Sequence, residues 1–417
     1  ACCGGSGYRD CRLVRTDQCC SDWSVRGGPC RLVRECSLQS LFQSNLPQYG
    51  AVGMSENGIT TTSIGSGSST ACSGNGSSMN VLLVRPDGIG DEILCLPVAS
   101  ALRSLLPEAR ITFLSSEYAA PLLAHHPDLD EVWTVTGRES LRELKALFCR
   151  AVDAAVFLKP FKRLMWAAFL ARVPIRVATG YRWYSVLANR RIYEHRKDFS
   201  KHETAYNVGM LAGLGLQPGM VSPPRLVLTD TERASGHERL GSLPTPKVVL
   251  HPGGFAARRW RVEQYHSLAI DLTRKGVGVV LTGSQVEADM FTQHRADDGP
   301  IPASVLNLMG KLSVRELMAV IAASHVVVSG ATGPAHIAAA CGVPNVSLFD
   351  PRRNNLPTRW QPLGQGVVMR PDVPTCEKCI YEACPYWDCL DRLTVETVAR
   401  HVMEVTNQPA PLKVIHV

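Results

Sequence analysis

Residues 326–350, VVVSGATGPAHIAAACGVPNVSLFD, join an apolar run, a turn of small residues, an alanine-rich helical pattern and a second apolar run with no residue to spare. The valines at 326–328 have the pattern of a buried strand, residues 329–334 turn into a helix, and residues 345–349 form the next strand. Ser329, Gly330, Thr332 and Gly333 leave backbone N–H groups uncrowded at the helix start, where four donors lack internal partners and the macrodipole favours an anion. That end of the unit suits a diphosphate. A single turn of this kind is more often a plain connection, so the rest of the chain decides its meaning.

A second such turn lies upstream. Residues 247–251, KVVLH, read as a strand that runs into Pro252, Gly253 and Gly254, then through Arg258, Arg259 and Trp260 into an amphipathic helix over 263–274 closed by Gly276. Residues 277–282 form the following strand and 307–310 a short strand end. Residues 313–323 form a helix that Ser313 and Glu316 begin as a capping box. Strand and helix alternating in this way predict a parallel, doubly wound sheet whose ligand lies beyond the carboxyl ends of the strands.

The same alternation starts at Met79. Residues 80–85 are a buried strand, PDGIGD follows at 86–91, and an apolar-striped helix runs to 106, with Pro97 marking a kink or the true beginning. Strands at 110–115, 131–135 and 154–158 alternate with helices at 119–124 and 140–149. GIGD lacks the third glycine and the acidic strand end of a dinucleotide fingerprint, which disfavours a dehydrogenase. Residues 213–224, with three glycines and three prolines, read as an interdomain linker. The expected organisation is an extension over 1–78, α/β domains over 79–222 and 223–405, and a tail over 406–417.

A chain of 417 residues with 45% hydrophobic content has room for two full cores. Its apolar runs are broken within about a dozen residues, short of the roughly 18 to 20 that a bilayer needs, so a soluble chain, or one at most peripheral at a membrane, is expected. The formal net charge of +7 is informative only where it is concentrated. Between residues 159 and 201, 11 lysines and arginines alternate with Trp166, Tyr181, Trp183, Tyr184 and Tyr193, a pattern suited to sugar, phosphate or head groups, which a nucleic-acid groove would share; for the chain as a whole no nucleic-acid partner is expected. Of 15 cysteines, eight lie in the first 78 residues, a Gly-, Ser- and Arg-rich low-complexity segment where no domain is expected. Cys95, Cys149 and Cys341 have the apolar settings of core thiols. Cys376, Cys379, Cys384 and Cys389 form C-x2-C-x4-C-x4-C, compact enough to fold round one ion, and four thiolates suit zinc or iron in a structural role. Unmetallated thiols are the plainer alternative.

Taken together, VRPDGIGDEILCLPVASALR (84–103), LHPGGFAARRWRVEQYHSLA (250–269), LMGKLSVRELMAVIAASHVVVSGATGPAHIAAACGVPNVSLF (308–349) and the cysteine-rich tail resemble glycosyltransferase family 9, the bacterial heptosyltransferases. The resemblance runs from about residue 79 to about 405 and leaves the first 78 outside. It implies an α/β GT-B architecture, two Rossmann-like domains facing a central cleft, with the acceptor held by the first and the donor by the second. It also implies ADP-heptose as donor, inversion at the anomeric carbon, and a lipopolysaccharide core or related acceptor. Relatives with similar cysteine tails include an iron-binding group that heptosylates autotransporter proteins, so a protein hydroxyl is the alternative acceptor, and oligomers are compatible with either. A nucleotide-sugar-binding scaffold without turnover is the third reading.

The resemblance assigns Asp91 as the base that takes the acceptor hydroxyl's proton, the chemistry that inverting transfer requires. A helix-capping role is the plainer alternative for an aspartate after glycine. Arg258, where the family often has lysine, is expected to meet the leaving diphosphate together with the backbone of residues 329–333, so that no catalytic metal is needed. The donor is expected against Gly88, Gly90, His251, Gly253, Gly254, Arg259, Ser329, Gly330, Thr332, Gly333, Pro334 and His336. Ala331 departs from the family, many members of which carry a carboxylate or hydroxyl there, and leaves Thr332 and the main chain to hold phosphate.

Overall fold

The computed structural model describes residues 78–253, 259–294 and 299–417, so the expectations for residues 1–77, Gly254 and Arg258 lie outside the described residues. The first sheet contains β1 (Asn80–Val84), β2 (Arg110–Ser116), β3 (Glu131–Val135), β4 (Ala154–Phe157), β5 (Ile175–Thr179) and β6 (Arg190–Ile192). Its order is β3-β2-β1-β4-β5-β6. The second contains β7 (Lys247–His251), β8 (Gly278–Leu281), β9 (Val305–Asn307), β10 (Val326–Gly330), β11 (Asn345–Leu348), β12 (Gly366–Arg370) and β13 (Lys413–His416), in the order β13-β12-β11-β10-β7-β8-β9. Every pairing within the two sheets is parallel. This is the two-domain GT-B plan.

The strand sequences explain the parallel arrangement. NVLLV, AAVF, KVVLH and VVVSG are apolar on both faces because helices cover both faces, and their residues are almost all buried. The connecting helices start where the sequence supplies caps: Ser140 with Glu143, Thr229 with Glu232 and Ser313 with Glu316 form reciprocal capping boxes. Pro97 stands in the first turn of the helix Leu96–Leu105, where its missing N–H costs nothing, so it marks a beginning and not a kink. Gly276 adopts φ +79° and closes the helix Val262–Arg274.

Four elements depart from expectation. β10 runs on through Ser329 and Gly330, which pair with Ser347 and Leu348 of β11. The third strand of the second sheet is Val305–Asn307 and ends where 307–310 was expected to lie. The basic run at 159–201 contains the helix Lys162–Leu170 as well as β5 and β6. The tail after 405 is not appended: Lys413–His416 pairs along β12 and extends the second sheet. One buried apolar cluster contains Leu83 and Phe113 of the first sheet together with Leu226, Val249, Val327 and Ile337, so the two domains share packing.

Candidate active-site cleft

In each sheet the strand order reverses at one place, and there the chains leaving neighbouring strands diverge and open a crevice. In the first sheet it lies between β1 and β4, and β1 leads into Arg85 to Asp91. In the second it lies between β7 and β10, which lead to Gly253 and to Ala331 to Gly333. The two crevices meet in a cleft of about 640 Å³, within the range of small-molecule sites. Gly88, Gly90, Asp91, His251, Thr332, Gly333, Pro334 and His336 line it, so most of the expected site residues come together from segments far apart in sequence.

Asp91 lies in the first turn of the helix Ile89–Ile93, but that turn has no side-chain cap hydrogen bond. Its carboxylate instead pairs with Arg85 and remains partly exposed to the cleft. Burial raises its pKa above the ordinary carboxylate value, against the pull of Arg85 in the other direction. A carboxylate shifted toward neutral pH is a stronger proton acceptor.

Its neighbour Glu92 points the other way and braces the loop. Glu92 Oε1 accepts from Asp87 N at 3.1 Å, Ser116 N at 2.8 Å and Ser116 Oγ at 3.0 Å, while Oε2 bonds Ser115 Oγ. Burial pushes its pKa from 4.5 up to about 7, outweighing these bonds. A raised folded pKa means stability that is fully present below about pH 4.5 and lost as pH rises through about 7. The size is on the order of 3 kcal/mol. In Glu92→Gln the amide keeps the acceptor and donates to Ser115. The slope of unfolding free energy between pH 5 and pH 8 is therefore expected to flatten relative to the wild type; equal slopes for the two would remove Glu92 as its source.

Across the cleft, His251 ends β7 with Nδ1 3.0 Å from Thr282 Oγ1 and Nε2 3.8 Å from Glu287 Oε2. Burial holds its pKa below the ordinary histidine value, opposed by Glu287. Glu287 Oε2 accepts from Ser284 N at 2.7 Å and Ser284 Oγ at 3.0 Å, capping the helix Gln285–His294. A Cβ at position 253 would lie 2.0 Å from Glu287 Oε1, so any larger residue here would have to displace this carboxylate. His336 is buried and held neutral, its pKa pushed down to about 3 by burial. It packs on Gly90, where a Cβ would meet His336 Cδ2 at 2.8 Å, so the two domains abut at the site itself.

The phosphate turn is smaller than expected. Ser329 and Gly330 belong to the β10 ladder, and Ser329 Oγ donates to Gly330 O at 3.1 Å. The Thr332 N–H donates to Gly330 O, the Ala335 N–H to Thr332 O, and Pro334 has none. Of the residues expected here, Thr332, Gly333 and Pro334 face the cleft, and Ser329, Gly330, Gly253 and Arg259 are not among its lining. Conversely Tyr118, Gln285, Glu287, Asn355 and Trp360 line it without having been expected. Ser284-x-x-Glu287 carries the capping-box signature that would have located Glu287 on a helix start beside the site.

Cys376, Cys379, Cys384 and Cys389 surround one cavity of about 30 Å³ with Asp350 and Arg352. Among the described residues, however, no group of three or more His, Cys, Asp or Glu side chains is arranged to hold a metal ion. The four thiols are gathered round that cavity.

Comparison with known proteins fits this geometry. The family model described as Glycosyltransferase family 9 (heptosyltransferase) matches residues 137–386. A putative glycosyltransferase of Haemophilus influenzae is 23% identical over 307 residues, 68% of this chain and 86% of the relative. Lipopolysaccharide heptosyltransferase 2 of Salmonella typhimurium is 25% identical over 293 residues, 66% of this chain and 83% of the relative. Among solved structures, an Escherichia coli ADP-heptose lipopolysaccharide heptosyltransferase II superposes with a TM-score of 0.67 at 23% identity, over 79% of this chain and 99% of that one. A family 9 glycosyl transferase from Veillonella parvula gives 0.67 at 19%, over 79% and 97%. With the fold shared and the family model spanning more than half of its length, this chain belongs to glycosyltransferase family 9 and is a glycosyltransferase.

Proposed function

We propose that the enzyme transfers heptose from ADP-heptose, with inversion, to a lipopolysaccharide core or related anionic acceptor, and that Asp91 is the general base. The observation that carries this reading is the position of Asp91, partly exposed at the switch point of the first domain and facing the start of the helix Gly333–Ala340 in the second. The donor's diphosphate lies at that helix start, with Arg258 supplying charge, and the acceptor hydroxyl approaches from the first domain. Proton removal by Asp91 and stabilisation of the departing diphosphate by fixed dipoles and a cation then act on opposite sides of the anomeric carbon.

The acceptor side has matching chemistry. β4, β5 and β6 are parallel to β1, so the segments that follow them emerge on the same edge as Asp91. Those segments present Lys159, Tyr181, Arg182 and Trp183, with Trp183 70% exposed and Lys162 Nζ 4.9 Å from its ring. Exposed aromatics among cations suit a sugar carrying phosphate or the head-group layer beneath it. Incubating the enzyme with radiolabelled ADP-heptose and either heptose-deficient lipopolysaccharide or a serine-rich polypeptide tests the reading. Label is expected in the lipid fraction; label in polypeptide alone would replace the acceptor, and donor binding without transfer to either would leave a nucleotide-sugar-binding protein.

A further inference from the structure

Behind Asp91 lies a buried network of charges that the family assignment does not use. Arg85, 3% exposed, leaves β1 and divides its guanidinium between Asp91 and Glu203, with Nη1 3.2 Å from Glu203 Oε1 and Nε 3.4 Å from Asp87 Oδ2. Glu203, 1% exposed, begins the helix Glu203–Gly209. Arg196 Nη1 lies 2.6 Å from its Oε1, and Nε and Nη2 of Arg359 each lie 2.9 Å from its Oε2. Arg196, Glu203 and Arg85 belong to the first domain. Arg359 comes from the second, on the short helix Pro357–Trp360 between β11 and β12.

That helix is seated on the first domain by main-chain contacts. Arg359 Nη1 donates to Arg196 O at 3.0 Å, Thr358 Oγ1 donates to Phe199 O at 3.2 Å, and His202 Nε2 lies 2.9 Å from Gln361 O. Burial alone would raise the pKa of Glu203, but Arg196, Arg85 and Arg359 together hold it below the ordinary value, so it is a buried carboxylate facing three cations. A guanidinium is shared by whatever acceptors compete for it, and buried charges compete strongly because water does not replace a lost partner.

We propose that Glu203 and Arg359 are positioning residues for Asp91, acting through Arg85, so that the base is set for reaction only when the second domain's Pro357–Trp360 helix is docked on the first. The proposal rests on Asp91 being the base. With Arg359 in place, Glu203 is satisfied from two sides and Arg85 keeps one amino group on the Asp91 carboxylate. Without Arg359, Glu203 draws Arg85 toward itself and Asp91 loses its cation. The other groups facing Asp91 are Asp87, Lys159, which lies 2.5 Å from Asp87, the Cys95 thiol and, on the far side of Gly90, the neutral His336.

The test is the acid limb of the pH profile of kcat/KM for ADP-heptose consumption, with melting temperature recorded for each variant. Arg359→Gln is expected to lower kcat about tenfold and move the acid limb up by about one pH unit, because Asp91 loses a cation while keeping its desolvation. Arg359→Lys, which keeps the charge but not the fork, should fall between it and the wild type. Glu203→Gln should move the limb the other way, because Arg85 then serves Asp91 and Asp87 alone. Opposite shifts are a signature that loss of packing does not produce. Limbs unmoved in folded Arg359→Gln protein, or a crystal structure of it with Arg85 still bridging Asp91 and Glu203, would overturn the proposal, even if Glu203→Gln does not fold. Asp91→Asn is the control: transfer persisting in it would sink the base assignment itself, a result distinct from an unmoved limb.

Discussion

Asp91→Asn is expected to lower transfer by about 10³-fold while leaving the affinity for ADP within about twofold. Asparagine preserves the size of the side chain and an oxygen for Arg85, so the loop and the cleft keep their shape. What it loses is the capacity to accept a proton as the bond to the anomeric carbon forms. The proposed donor site lies on the second domain, so binding measured by calorimetry with ADP should barely change, and the loss falls on kcat. Nucleophilic attack without a base is still open to a hydroxyl, and the cleft keeps its electrostatic stabilisation of the leaving group, which leaves a residual rate. A variant that transfers heptose at near wild-type rate would leave Asp91 as a partner of Arg85 and nothing more.

Much of this site was legible in the chain because its parts are local. VVVSG followed by ATGP can only be a buried strand entering a helix, and KVVLH followed by PGG is a second such turn; two of them in one alternating pattern put a ligand at a switch point. GIGD follows β1 as a turn of the same kind, and Asp91 lies in the lining of the cleft. What the sequence hid is what depends on strand register and on distant partners. The extent of β10 is set by pairing with β11, and it takes Ser329 and Gly330 out of the turn. β5 and β6 were missed because RVPIRVATG and NRRIYE place arginines among the apolar residues. Those arginines are tolerated because this edge of the sheet is short and partly open, and Arg176 turns back to donate to Leu187 O at 2.8 Å and to the Val173 carbonyl. Arg85, Glu203 and Arg359 lie 118 and 156 residues apart along the chain, and no periodicity announces a contact of that kind.

The tail shows the same contrast between local spacing and long-range packing, and it leads to the second large effect. C-x2-C-x4-C-x4-C suggests that an ion ties the final helix to the core. The structure supplies another anchor. The helix Val395–Asn407 buries Val398, Ala399, Val402 and Val405, each valine contributing roughly 1.5 to 3 kcal/mol, and the segment before it buries Leu390 and Leu393. Trp260, 2% exposed, locks the junction: its Nε1 donates to Leu393 O at 2.8 Å and its ring meets Tyr265 edge-on at 4.9 Å. Trp260→Ala is therefore expected to cost about 4 kcal/mol, combining a large cavity with a stranded carbonyl. Urea unfolding measures it, and a loss below about 1 kcal/mol would show that the junction collapses to fill the space. Cys379→Ser in protein stripped of metal should cost far less than Trp260→Ala, because the helix docks through its own apolar face. If protein purified without chelator instead holds one zinc or iron per chain, and Cys379→Ser releases it with a loss as large as that of Trp260→Ala, the tail is held by metal binding coupled to folding.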